Sequence, residues 1–253
     1  MKTRKLNLKI KGLLSLILLA NFVNFASAED VSINSDQARA RYKEKQTEIK
    51  IDQKRLVTRL VESKSVFEAL LNAPDGGIPQ NLLKNSNCIA VLPNVLKAAF
   101  VVGGEFGRGV MSCKTKEAEW SAPSFVELRA ASFGWQIGGK STDLVLFFAG
   151  EKAKHVITAS KFTLGADIGV TAGPVGRRAE GSVSTELDGV YSYAHSEGIF
   201  VGLALNGADL ISDVDANKTY YTAKTDVSSF FLNNVTISSL PDEAKAFITS
   251  LPQ

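Results

Sequence analysis

From residue 87 to residue 211 the chain is a succession of short apolar runs punctuated by glycine. CIAVLP, AAFVVGGEF, RGVMSCK, EWSAPSFVEL, FGWQIGG, TDLVLFFAG, FTLGADIGVTAG, GVYSYAH and GIFVGLALNGADLIS follow one another closely. Strands this frequent, with turn signals between them, suggest antiparallel pairing in a strongly curved sheet or barrel. One interruption, EKAKHVITAS from Glu151 to Ser160, reads as a short helix. Beyond Asp213 the chain turns helical in pieces: DANKTYY, TDVSSFFLNN and PDEAKAFITSL. The expected fold class is α+β, a curved antiparallel sheet or barrel-like core with an N-terminal amphipathic helix and short C-terminal helices.

Within that run, VVGGEFGRGV places glycines at 103, 104, 107 and 109 around Arg108. The order G-G-x-x-G-x-G is not the dinucleotide fingerprint, and VMSCK after it has no helical period to hold a pyrophosphate. No G-K-[ST] follows, which excludes a P-loop. Glycine in strands marks bulges and close backbone approach, so the stretch is read as a glycine-bent β-hairpin.

The N-terminal helix announces itself by period. Leu56, Leu60, Phe67 and Leu70 fall at helical spacing, with Val57, Val61 and Leu71 widening the stripe. Pro74, Asp75, Gly76 and Gly77 stop it near Asn72. Lys54, Arg55, Arg59 and Lys64 take the flanks and back, with Arg55, Arg59 and Lys64 expected on the wet side. Such a helix either docks on the core alone or also touches anionic head groups. Residues 29–55, dense in charge, form a solvated helix or a mobile arm.

Residues 1–28 read as a secretory signal peptide. Lys2, Arg4, Lys5, Lys9 and Lys11 precede the apolar run Leu13–Val23, and Ala26-Ser27-Ala28 supplies small residues for cleavage. Removing that leader leaves 24 basic against 26 acidic residues, so net basicity gives a nucleic-acid reading no support. The domain plan is a leader at 1–28, a polar arm at 29–55 and one domain over 56–253. Cys88 and Cys113 are the only cysteines. In an oxidising compartment such a pair forms a disulfide more readily than it stays as two thiols.

Catalytic and metal constellations fail one by one. His155 and His195 are the only histidines, lie far apart and read as surface residues. Asp213-Val-Asp215-Ala-Asn217 copies the first half of a calcium loop. Lys218 then stands where the loop needs glycine, and Lys224 where it needs a bidentate glutamate. Asp213 or Asp215 capping the following helix is the better reading. There is no G-x-S-x-G elbow. Glu186 and Asp188 share a strand face as any such pair does. The chain is therefore read as a binding or structural protein, not an enzyme.

CIAVLPNVLKAAFVVGGEFGRGV, WSAPSFVELRAASFGWQIGGKSTDLVLFF, KFTLGADIGVTAGPVGR and GVYSYAHSEGIFVGLALNGADLI, with DANKTYY after them, resemble the SYLF domain family. The likeness runs from about Leu56 to the C-terminus. It implies phospholipid and phosphoinositide binding without catalysis, with actin binding in some eukaryotic members. It places the membrane helix at about Gln53 to Leu71, and bacterial members commonly carry two cysteines where Cys88 and Cys113 stand. The resulting expectation is an exported protein that recognises anionic phospholipids with phosphoinositide- or phosphatidic-acid-type head groups. Lys54, Arg55, Arg59 and Lys64 of the helix would act with a cationic rim of glycine-rich turns, Arg108, Lys140, Arg177 and Arg178. If those turns do not converge, the rim is only scattered surface charge. The alternative is a non-catalytic envelope protein working through protein contacts. No cofactor, metal or nucleic acid is expected, and actin is set aside because the leader removes the chain from the cytoplasm. The expected location is periplasmic or secreted, peripheral on a membrane.

Overall fold

The computed structural model describes residues 28–73, 78–115, 117–150, 161–173, 188–196, 199–202, 205–221 and 239–252. Most of the leader, the helix read at 151–160, Arg177 and Arg178, Lys224 and TDVSSFFLNN lie outside them. The chain divides into two units, Met1–Ile49 and Lys50–Gln253. In the first, residues 28–49 are helical, and the side chains described, from residue 37 on, are exposed.

Helix α1 (Ala28–Leu71) carries into the second unit the stripe its period predicts. Leu56, Leu60, Phe67 and Leu70 are all buried, and Ser63 joins them with its Oγ donating to the Val91 carbonyl. Val61 does not widen the stripe and is 50% exposed. The helix ends as expected, the Asn72 backbone and side-chain amides both donating to the Glu68 carbonyl. A short helix that the sequence reading missed, α2 (Gln80–Asn85), then buries Leu82 and Leu83.

The sheet is built on two very long strands, β1 (Ser86–Cys113) and β2 (Ser124–Ala149), paired antiparallel from Ser86↔Ala149 to Met111↔Ser124. Short strands complete it: β3 (Lys161–Thr163), β4 (Val170–Ala172), β5 (Gly189–Ser196), β6 (Ile199–Gly202) and β7 (Asp209–Ser212). The order is β3-β7-β2-β5-β4, with β1 on β2 and β6 on β5. All pairs are antiparallel except β4 on β5. Its length lets β2 serve two neighbours at once. Val126–Arg129 pairs with β7, and Asp143–Ala149 pairs with β5.

Helices α3 (Val214–Tyr221) and α4 (Asp242–Ser250) follow. The alternation of strand side chains sends Val145 and Phe147 toward the helices, into a core with Leu60, Phe67, Leu82, Phe125 and Phe247. It sends Leu144, Leu146 and Phe148 to the other face, against Leu92, Leu128, Phe162, Leu164 and Leu210. Burial on both faces is why TDLVLFFAG reads as an unbroken apolar run. Cys88 and Cys113 are disulfide-bonded within the second cluster, both essentially without exposure.

Candidate functional site

The glycine stretch does not form a hairpin of its own. Gly103 to Gly109 run inside β1 and pair with Val126 to Ser132 of β2. The hairpin is the whole β1–β2 pair, whose connection at 114–123 is closed by a Lys114↔Trp120 bridge. The glycines instead let β1 bend until its second half lies against its first. A Cβ on Gly109 would stand 2.7 Å from the Leu92 Cα and 2.8 Å from the Val91 carbonyl carbon. One on Gly107 would stand 2.6 Å from the Val95 Cγ2. Only glycine admits so close a backbone approach.

This fold-back brings the middle of β1 beside α1 and leaves a cleft of about 220 Å³ between them. Arg55, Thr58, Arg59 and Glu62 line it from the helix, and Asn94, Leu96, Phe106 and Arg108 from the strand. Leu96 and Phe106 are exposed at 58% and 39%. The Arg108 guanidinium lies 5.2 Å from the Phe106 ring centroid, within cation–π range. The arginines of the helix and of the glycine stretch, expected to act as separate elements, thus share one wall-to-wall site.

The three guanidinium groups are not equivalent. Arg59 is 14% exposed and donates to Asp213 Oδ2 at 3.0 Å, with Phe125 beneath it at 5.4 Å. Placing it on the wet side is therefore a correction. At position 59 the helix turns toward α3, and the long side chain reaches Asp213 across the core edge. Asp213 also caps α3, its Oδ1 accepting from the Ala216 amide at 3.1 Å, as the capping reading expected. Arg108 donates its Nε to Glu127 at 2.9 Å and stays 53% exposed. Arg55 is 75% exposed, with only a long surface contact to Asp52 at 3.4 Å. Part-buried Asp213 and buried Glu127 offset charge from behind, and Arg55 and Arg108 face solvent.

Glu127 is invisible in the sequence, because a single glutamate in a strand carries no signal. It is 8% exposed, and Arg129 grips its other oxygen. Burial alone would raise its pKa, but the hydrogen bonds and charges of Arg129 and Arg108 outweigh it and hold the carboxyl below its ordinary range. Asn217, read as part of a failed calcium loop, is 1% exposed. Its side-chain amide accepts from the Phe125 backbone N–H at 2.8 Å and donates to the Phe125 carbonyl at 3.1 Å. It pins α3 to β2 as another strand would.

Of the remaining expected residues, Lys54 is exposed and Lys64 pairs with Glu68 on the same helix at 2.6 Å. Lys140 takes the register position opposite Lys97. His195 sits 3.5 Å from Asp143. Among the described residues no three His, Cys, Asp or Glu side chains gather as a metal site, and no helix is long and apolar enough to cross a membrane.

Residues 129–253 match the family model described as Ysc84, Las17-binding protein actin regulator. The chain is 34% identical over 173 residues to Protein YSC84 of Saccharomyces cerevisiae, covering 66% of this chain and 35% of that protein. It is 33% identical over 171 residues to the LAS seventeen-binding protein 3 of the same yeast, covering 66% and 36%. Against the SH3 domain-containing YSC84-like protein 1 of Xenopus laevis it is 34% identical over 152 residues, covering 59% and 45%. The match spans under half the length of each of these relatives. One of the three, the LAS seventeen-binding protein 3, is named for binding. Setting actin aside on the strength of the leader is overturned, because the matching family is itself described as an actin regulator.

Proposed function

Because residues 129–253 belong to the Ysc84 family, we propose that the protein is a non-catalytic binding module whose cleft between α1 and β1 takes the phosphate of an anionic phospholipid. The observation that carries this reading is the meeting of Arg55, Arg59 and Arg108 in one cleft rimmed by exposed Leu96 and Phe106. Guanidinium forks match phosphate oxygens in pairs, and apolar side chains beside them suit the glycerol and acyl edge of a lipid. Arg59 holds the helix wall through Asp213, and Arg55 and Arg108 meet the ligand. The protein acts outside the cytoplasm, after cleavage behind Ala28. The leader pattern and the Cys88–Cys113 disulfide both support that location.

Vesicle co-sedimentation of the chain from Glu29 onward tests the reading. Binding is expected to vesicles containing phosphatidylglycerol and not to neutral phosphatidylcholine, and to weaken as salt shortens the Debye length. A basic contact at an anionic surface is worth about 1 kcal/mol, so Arg55→Gln and Arg108→Gln each lower affinity about fivefold. Arg55→Gln leaves the melting temperature unchanged, whereas Arg108→Gln also lowers it, because Glu127 loses one of its two guanidinium partners. Equal binding to neutral vesicles removes the proposal. A second reading, favoured by the family's description, is that the same face meets a protein partner of the actin-regulating kind. Pelleting with purified actin filaments, dependent on Arg55 and Arg108 and without vesicle binding, establishes that reading instead.

A further inference from the structure

Beyond the cleft, β1 makes an arch whose feet lie together. Lys97 Nζ is 2.6 Å from Glu105 Oε1. Eight residues of straight strand would separate those positions by about 27 Å, out of reach of a Lys–Glu pair. The backbone between them therefore goes out and returns. β2 follows it through the same excursion, from Ala98↔Gly139 and Ala99↔Gly138 to Val101↔Gly134 and Gly104↔Ala131. Between Ala99 and Val101 the register slips, so that β1 contributes one residue, Phe100, against three of β2: Trp135, Gln136 and Ile137. β7 pairs with β2 only at Val126–Arg129, and β5 only at Asp143–Ala149. Among the described residues no third strand pairs with the arch.

The composition of the arch is unlike that of its feet. Residues 98–104 and 130–139 contain no charged residue, and they include Phe100, Val101, Val102, Phe133, Trp135 and Ile137. At the feet stand the register pair Lys97↔Lys140 and, beyond it, the half-exposed Arg108 and Arg129. Glu105 pairs with Lys97 and Glu127 with both arginines, so four cations face two carboxylates and the feet stay net positive. At the base Leu96, Lys97, Phe106, Ala131 and Ser141 are exposed, while Glu105 and Ala130 are partly buried. The arch starts beside the cleft, since Leu96 and Phe106 belong to both.

We propose that this two-stranded arch, residues 98–104 with 131–139, enters the interfacial layer of an anionic bilayer while the Lys97–Lys140 register pair stays among the head groups. The occupant is argued from charge: an apolar ribbon footed on cations fits a surface that is anionic outside and apolar within. Depth is limited by the backbone. The outer edges of a two-stranded ribbon carry unpaired N–H and C=O groups, which the hydrocarbon centre does not tolerate. Insertion therefore stops about 5–10 Å into the head-group and acyl boundary, where tryptophan is favoured. The proposal rests on the lipid reading of the cleft and adds the element that anchors the protein there.

Trp135 is the reporter, because the other tryptophan, Trp120, is buried and donates to the Pro252 carbonyl at 2.7 Å. The probe is a vesicle of phosphatidylcholine and phosphatidylglycerol whose acyl chains are brominated near the glycerol end. The expected result is quenching of fluorescence on binding, abolished in Trp135→Phe, with no quenching in neutral vesicles. Phe133→Asn lowers partitioning about tenfold, the effect of removing one buried aromatic, and leaves the circular dichroism unchanged. Phe100→Asn serves as the second variant should Phe133→Asn not fold. Co-sedimentation without quenching overturns the arch and leaves the lipid reading standing. Absence of co-sedimentation overturns both. Concentration-dependent self-association that is lost in Phe133→Asn overturns the proposal in favour of a second copy of the chain as occupant.

Discussion

The fold-back of β1 makes the cleft, and substituting its glycines tests it directly. A methyl group on Gly109 would meet backbone, the Leu92 Cα at 2.7 Å and the Val91 carbonyl. Neither atom belongs to a side chain that can rotate away. Val91, Leu92 and Val110 are all 0% exposed, so opening the approach also disturbs two packed faces. Overpacking of cores costs 1–3 kcal/mol, and a backbone obstacle belongs at the upper end, about 3 kcal/mol. For a domain of this size that is a fall in melting temperature of about 6–12 °C. At Gly104 the nearest atom is the Ala130 carbonyl oxygen at 3.5 Å, ordinary contact, and Gly104→Ala is expected within about 0.5 kcal/mol of wild type. Gly107→Ala lies between, because its obstacle is the Val95 side chain at 2.6 Å. Combined with Val95→Ala, it should destabilise less than the sum of the two single changes. Thermal unfolding of the oxidised protein, followed by circular dichroism, reads all five variants, Val95→Ala alone included. If Gly109→Ala melts within about 2 °C of Gly104→Ala, β1 does not fold against itself and the cleft loses its strand wall.

Three further outcomes follow from the site. Arg59→Gln leaves Asp213 mostly buried without its guanidinium and costs about 2 kcal/mol, whereas Arg55→Gln is neutral in denaturant unfolding; equal effects would contradict the division between a structural and a ligand-facing arginine. Glu127 has a lowered pKa in the fold, so its contribution to stability is complete above the ordinary carboxylate range and disappears as pH falls through the folded value. The stability difference between wild type and Glu127→Gln should accordingly shrink as the pH is lowered from neutrality to about 3, and a difference constant with pH refutes the Arg108–Glu127–Arg129 cluster. Opening the disulfide, with a sequence separation of 25 residues, in the Cys88→Ser, Cys113→Ser double variant should cost roughly 3 kcal/mol in denaturant unfolding.

What could be read along the chain was whatever leaves a local period or a stop signal. Leu56, Leu60, Phe67 and Leu70 recur at helical spacing because one helix face meets the core, and that face is buried. The end of α1 at Leu71 and the start of α3 behind Asp213 were legible because capping and helix breaking act within a few residues. Val61 breaks the pattern. An apolar residue just outside the stripe looks the same in sequence whether the neighbouring element covers it or not, and here it is exposed. The β-rich runs were legible as strands but not as parts of two long ones. Glycine is equally a turn signal and a point of bending, and only the pairing partner decides which.

Of the site, the sequence supplied Arg55, Arg59 and Arg108 as cations near an apolar stripe or a glycine stretch, and nothing that joined them. Arg59 and Asp213 are 154 residues apart, and Glu127 meets Arg108 across 19. No local pattern encodes such distances. Asn217 shows the limit most clearly: its neighbours imitate a metal loop, while its amide spends its hydrogen bonds on the backbone of Phe125. The sequence by itself determined the α+β class, the buried face of α1 and the cysteine pair, because periodicity, capping and composition act through nearest neighbours. The tertiary structure alone decided that Arg59 is inward, that β1 folds upon itself and that helix and strand arginines share a cleft. Those outcomes depend on which remote backbones come within hydrogen-bond and van der Waals range, and that is settled only when the sheet closes.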